Sequence, residues 1–180
     1  MIQHDELVAA LQTTDFMVES HKQENPIADS LLKQGATVVR QNLRPTPAGD
    51  IAFCYGQHTI GVERKHGSDL VQSWVGARLK CAKTCPYCEG AGCQRLDNQL
   101  YRMFAHYDHV ILAIVGWFGM TPQGYIITNS RDSHRLWDGL WNALYKWQRR
   151  GVIWQPATDM THAAHRLVSL RGYIERTDLL

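Results

Sequence analysis

Along the 180-residue chain the spacing of apolar residues switches repeatedly between helix-like and strand-like periods. Asp5 to Gln12 reads as a short helix, and Phe16 to Glu19 as a strand ending in the polar cluster Ser20 to Asn25. Pro26 stands where a first-turn proline is tolerated, Ile27, Leu31 and Leu32 follow at helical spacing, and Gly35 supplies a stop. Thr37 to Asn42 reads as β. Beyond the loop Arg44 to Gly49, the β-rich runs Asp50 to Tyr55 and His58 to Lys65 flank Gly56-Gln57 as in a hairpin. Ser68 and Asp69 then open a helix to about Leu79, with Leu70, Val71, Trp74 and Val75 as its apolar face.

Beyond a cysteine-rich loop, a helix from about Arg95 to Tyr107 leads into the apolar strand His109 to Val115. Gly124 to Thr128 is expected as a strand, Ser133 to Gln148 as a long helix, Val152 to Gln155 as a strand, and Asp159 to Leu170 as a helix capped by Asp159. Leu136, Trp137, Leu140, Trp141 and Leu144 recur at the spacing of a packed helix face. This alternation predicts one α/β layered domain, residues 1–180, with a mixed central sheet flanked by helices. There is no internal repeat, low-complexity tract or interdomain linker.

At 44% hydrophobic and 20% charged, the composition is that of a soluble globular domain. A chain of this length buries roughly 70% of its unfolded surface and needs neither disulfide nor metal to be stable. The longest apolar run, Val110 to Val115, is far short of the ~20 residues that cross a bilayer, and Met1 to Thr14 has no basic start or signal-peptide core. No membrane association is expected, and the compartment is expected to be the cytoplasm, or the nucleus in a eukaryotic source. Residues 1–70 carry 6 basic and 9 acidic side chains, against 13 and 8 in the remainder. The second part can face a polyanion, although so small a surplus equally describes a solvated surface.

Four of the five cysteines fall within Cys81-x3-Cys85-x2-Cys88-x4-Cys93. Four thiolates in one loop, with Pro86, Gly90 and Gly92 to permit tight turns, suit a closed tetrahedral Zn²⁺ site like a zinc knuckle; an iron–sulfur cluster accepts the same ligands. Lys80, Lys83 and Arg95 flank the loop, so it either contacts phosphates or braces two helices.

The sharpest pattern is Gly49-Asp50, twelve residues, then Glu63-Arg64-Lys65-His66-Gly67-Ser68-Asp69. On a strand Glu63 and Lys65 share a face and Arg64 takes the other. If Asp50 opens the partner strand, its carboxylate comes near Glu63, giving two hard oxygen donors beside an ammonium group, which is a donor set for Mg²⁺ or Mn²⁺. Such an ion stabilises charge on a phosphodiester and acidifies water, and Lys65 can orient the water or stabilise transition-state oxygens. His66 sits beside this set as a phosphate contact or a simple turn residue.

With Leu70-Val71-Gln72-Ser73 and Gly76-Ala77-Arg78-Leu79 continuing it, this pattern resembles the nuclease domain of the XPF/Rad/Mus structure-specific endonucleases, within the PD-(D/E)xK superfamily. The resemblance covers about residues 16–170. Upstream, Glu19-Ser20-His21-Lys22 stands where the family has Asp-x-Arg-Glu; downstream, Gln99-Leu100 with Tyr107 and Val110 to Val115 resembles the family's helix and strand, and Trp137 to Ala164 its closing helix-strand-helix. Residues 81–93 look like an insertion.

The resemblance implies a restriction-endonuclease-like fold, metal coordination by Asp50, Glu63 and Glu19, a catalytic Lys65, and supporting roles for Arg64 and Asp69. It implies a Mg²⁺- or Mn²⁺-dependent endonuclease acting on branched DNA (flaps, forks or junctions) in repair, recombination or replication. A non-catalytic DNA-structure binder or partner subunit of the same family is the alternative. Relatives dimerise through this domain, and Tyr145 and Trp147 widen the apolar surface of the Trp137 helix, so a homodimer interface is a secondary expectation.

Overall fold

The two runs flanking Gly56-Gln57 pair as a hairpin, and that hairpin forms the middle of the main sheet. In a computed structural model, described for residues 4–43, 48–75, 94–116, 118–128 and 132–177, the elements follow in order. They are α1 (His4–Leu11), β1 (Phe16–Glu19), a 3-10 turn (Lys22–Glu24), α2 (Asn25–Lys33), β2 (Val38–Gln41), β3 (Ile51–Tyr55), β4 (His58–His66) and α3 (Gly67–Val75). Then come α4 (Arg95–Phe104), β5 (His109–Val115), β6 (Phe118–Met120), β7 (Tyr125–Thr128), β8 (Asp132–Leu136), α5 (Trp137–Gln148), β9 (Val152–Ala157) and α6 (Met160–Thr177).

Six strands form a mixed sheet in the order β2-β1-β3-β4-β5-β9. The pairs β1–β2, β4–β5 and β5–β9 are parallel; β1–β3 and β3–β4 are antiparallel. Period-2 alternation divides its side chains between two layers. Met17, Ala52, Val110, Leu112 and Val152 pack with Leu7 of α1, Leu70 of α3, Leu100 of α4 and Leu144 of α5. Val18, Ile51, Phe53, Val62 and Ile111 pack on the other face with Ile27 and Leu31 of α2 and Ala164 and Leu167 of α6. Helices thus cover both faces, and β5, buried on both sides, reads as an unbroken apolar run for that reason.

Where strand meets helix, Gly61 is a packing requirement. A Cβ there would lie 2.3 Å from the Tyr107 ring, so any side chain displaces the aromatic ring, whose hydroxyl donates to the Ala48 carbonyl at 2.9 Å.

The pattern misjudged three boundaries. The helix expected from Ser133 begins at Trp137; residues 132–136 instead form β8, the third strand of an antiparallel sheet β6-β7-β8 inserted between β5 and α5. Asp132 to Arg135 is polar with no β-branched or aromatic residue to mark a strand, and the Trp–Leu stripe invited extension of the helix upstream. Helix α4 stops at Phe104, and the Tyr107 N–H closes its end on the Met103 carbonyl at 2.9 Å. Helix α6 runs beyond Leu170 to Thr177, where Arg171 pairs with Asp15 at 2.6 Å and with Glu175 one turn on at 3.0 Å.

The expected continuation of α3 through Gly76-Ala77-Arg78-Leu79, the flanking Lys80 and Lys83, and the Cys81, Cys85, Cys88, Cys93 loop lie outside the described residues. Among the described residues no helix is long and apolar enough to cross a membrane.

Candidate active site

Gly49 adopts φ +93°, a left-handed conformation that favours glycine, and a Cβ there would meet the Met103 methyl at 3.1 Å and the Val62 carbonyl at 3.3 Å. This turn delivers the Asp50 N–H to the Val62 carbonyl at 2.8 Å and starts β3. Register then sets the row. Ile51 pairs with Val62, so Asp50 stands opposite Glu63; Val18 pairs with Ile51, so Glu19 stands opposite Asp50, with its N–H on the Asp50 carbonyl at 2.8 Å. Three carboxylates from adjacent strands therefore share the sheet face of Met17, Ala52 and Gly61. All are buried, with 3% of Glu19 and 1% each of Asp50 and Glu63 exposed.

Carboxylates buried this deeply need donors. Glu19 Oε2 accepts from the Leu43 N–H at 2.8 Å and Oε1 from the Ser20 hydroxyl at 3.1 Å; Asp50 Oδ2 accepts from the Arg64 N–H at 2.8 Å. Glu63 Oε1 accepts from Lys65 Nζ at 2.6 Å and from Gln99 Nε2 at 2.9 Å. Lys65, itself buried, also lies 3.4 Å from Asp69, four residues on in the first turn of α3. Burial, and then the charges of Asp50, Glu19 and Glu63, raise the Tyr107 hydroxyl far above the usual phenol range.

Among the described residues no group of three or more His, Cys, Asp or Glu side chains is gathered as a ready metal cage. The donor set instead fits a hydrated ion. Mg²⁺ is commonly held by one or two carboxylates and keeps several waters, and the Gln99 amide oxygen, buried beside Glu63 without a donor, leaves an acceptor for such water.

Arg64 alternates to the opposite face, where its Nε and Nη2 grip Glu24 of the 3-10 turn at 2.9 and 2.7 Å. His66 shares that face and so points away from the carboxylate row. Burial, then the Arg64 charge, lower its pKa; burial likewise holds His106 and His109 below the ordinary 6.5. Below pH 6.5 the unfolded chain then binds more protons than the native one, so stability falls as the pH drops. The melting temperature is expected to decline steadily from pH 7.5 to 5.5; a flat or rising profile over that window contradicts this.

Register brings Glu19, Asp50, Glu63 and Lys65 together, sets Asp69 beside Lys65, and sends Arg64 to the other face. Two residues at the site had no role assigned from the sequence, although Gln99 belongs to the helix that carries the resemblance. Glu24 is one of several polar groups in Ser20 to Asn25 with nothing local to single it out. Gln99 carried a usable signal, being a polar residue next to the buried stripe Leu96, Leu100 and Met103.

No protein-family model matches the chain, and no curated protein matches it. Among solved structures, XPF from Aeropyrum pernix is similar over 91% of this chain and 66% of that one, with a TM-score of 0.63 and 21% identity. XPF from the same organism in complex with DNA is similar over 93% of this chain and 68% of that one, with the same TM-score of 0.63 and identity of 21%. The chain thus spans about two thirds of the length of these neighbours. It has the fold of an XPF-type nuclease domain.

Proposed function

We propose that the chain is a divalent-metal-dependent endonuclease that hydrolyses phosphodiester bonds of DNA at branches such as flaps, forks or junctions. The observation that carries this reading is the buried row of Asp50 and Glu63 with Lys65 hydrogen-bonded to Glu63, on an XPF-type fold. One neighbour of that fold is recorded in complex with DNA.

Mg²⁺ or Mn²⁺ held by Asp50 and Glu63, with Glu19 adding negative charge beside them, would stabilise phosphodiester charge and acidify water. The chain's own groups do the rest. The Arg64 N–H holds one Asp50 oxygen at 2.8 Å. The Lys65 ammonium, held between Glu63 and Asp69, can hydrogen-bond an attacking water or a non-bridging phosphate oxygen. Burial of the row lowers the local dielectric and strengthens each of these contacts.

The test is incubation with labelled forked, flapped and four-way DNA in Mg²⁺ or Mn²⁺, where cleavage of a branched substrate is expected. No cleavage above an Asp50→Ala control overturns the reading; branch binding without cleavage makes the chain a non-catalytic scaffold.

The same proposal includes Zn²⁺ on Cys81, Cys85, Cys88 and Cys93 as a bracing ion, supported by the spacing of four soft ligands. Elemental mass spectrometry of purified protein is expected to return about one zinc per chain, lost in a Cys85→Ser, Cys88→Ser variant. Iron in its place identifies a cluster. A second copy of the chain is the proposed occupant of the aromatic face at Tyr145, which is 57% exposed with its ring 5.7 Å from that of Trp154.

A further inference from the structure

We infer that Gln99 is a positioning residue of the proposed metal site: one end of its amide orients Glu63, and the other accepts a hydrogen bond from a water in the cation's hydration shell. The inference rests on the nuclease reading.

Gln99 lies on α4, whose Leu96, Leu100 and Met103 are buried. Its Nε2 donates to Glu63 Oε1 at 2.9 Å, the same oxygen that accepts from Lys65 Nζ at 2.6 Å. Two donors on one oxygen hold the carboxylate in a single orientation, and Oε2 takes no donor from the described residues. The other end of the amide is anomalous. Gln99 Oε1 is buried with no hydrogen-bond partner. Turning the amide over does not help, because it would set the amide oxygen against a carboxylate oxygen, two acceptors with no proton between them.

Buried side-chain acceptors without a donor are uncommon and costly, so this one calls for a physical reason. Among the described residues the other orphaned buried atoms are Arg40 Nε, Trp154 Nε1 and Arg171 Nε, all donors; the lone orphaned acceptor is the one hydrogen-bonded through its own amide to the acid row. What Oε1 lacks is a donor. A divalent ion of this kind retains several waters, each with protons to donate, and groups that orient metal ligands from behind commonly govern affinity.

Mn²⁺ affinity, read by electron paramagnetic resonance on the full chain, tests this in wild type, Gln99→Met and Gln99→Leu, beside melting curves in EDTA. Methionine matches the length of glutamine and is a good helix former. Both variants are expected to bind Mn²⁺ about 10-fold more weakly or worse. Their EDTA melting temperatures are expected to stay within about 3 °C of wild type, since the lost bond to Glu63 is offset by removal of the orphaned oxygen. Unchanged Mn²⁺ affinity in both variants, while wild type binds Mn²⁺ and cuts DNA, overturns this inference alone. So does a loss of affinity confined to variants that also melt several degrees lower, since packing then explains both. A wild-type chain that binds no more Mn²⁺ than Asp50→Asn and does not cut DNA overturns the nuclease reading as well.

Discussion

Asp50→Asn is expected to slow cleavage of branched DNA by at least about 1,000-fold, some 4 kcal/mol of barrier, while the chain stays folded. The separation of activity from folding follows from the contacts. Asparagine keeps an oxygen that can accept the Arg64 N–H, now 2.8 Å from Asp50 Oδ2, and the backbone bonds that start β3 involve no side chain. What disappears is one negative charge in a row where Glu19 and Glu63 remain paired to their own donors. Removing a charge from three adjacent buried carboxylates relieves repulsion in the metal-free chain, so melting in EDTA is expected to be unchanged or slightly higher. In Mg²⁺ the order reverses: wild type gains stability from the ion and the variant gains little. A variant that cuts within tenfold of wild type removes Asp50 from the chemistry.

The second large effect concerns stability. Arg64 and Glu24 form a two-pronged pair whose side chains are only 9% and 3% exposed. Glu24→Ala leaves a guanidinium buried without its counter-charge, a change that costs about 3–5 kcal/mol in comparable sites. For a chain of this size each kcal/mol moves the melting temperature by roughly 2–4 °C, so a drop of about 10 °C is expected. Replacing both partners, Glu24→Leu with Arg64→Met, is expected to recover most of it, because neither charge is then stranded. A single variant that melts within about 2 °C of wild type shows the pair to be dispensable. Cleavage should suffer too, since the Arg64 N–H holds Asp50 and any shift of β4 moves both.

The core of the fold was legible because its strands and helices are strongly periodic. Phe16–Glu19 and His109–Val115 emerge with the bounds the pattern predicts, and the Gly56-Gln57 hairpin emerges with its strands paired. The strands β6 and β8 were not legible, since Phe118-Gly119-Met120 is three residues with a central glycine and Asp132 to Arg135 is wholly polar with no β-branched or aromatic residue. The same holds at the site. Glu63 and Lys65 are two apart on one strand, so local geometry alone sets them side by side and turns Arg64 away.

What sequence by itself determined, then, is the acid-acid-lysine set and its supports: Gly49 for the turn, Asp50 at the strand start, Glu63 and Lys65 on one face. These depend on hairpin register and strand alternation, both written in neighbouring residues. The resemblance already implied Glu19 beside them, and the pairing of β1 with β3 sets it in the row; tertiary structure alone decided that Glu24 is the acid meeting Arg64 across 40 residues and that Gln99 reaches Glu63 across 36. Such pairings depend on where a turn and a helix settle against the sheet. That packing is driven by apolar burial, which is non-directional and leaves no mark on the polar residues it happens to bring together.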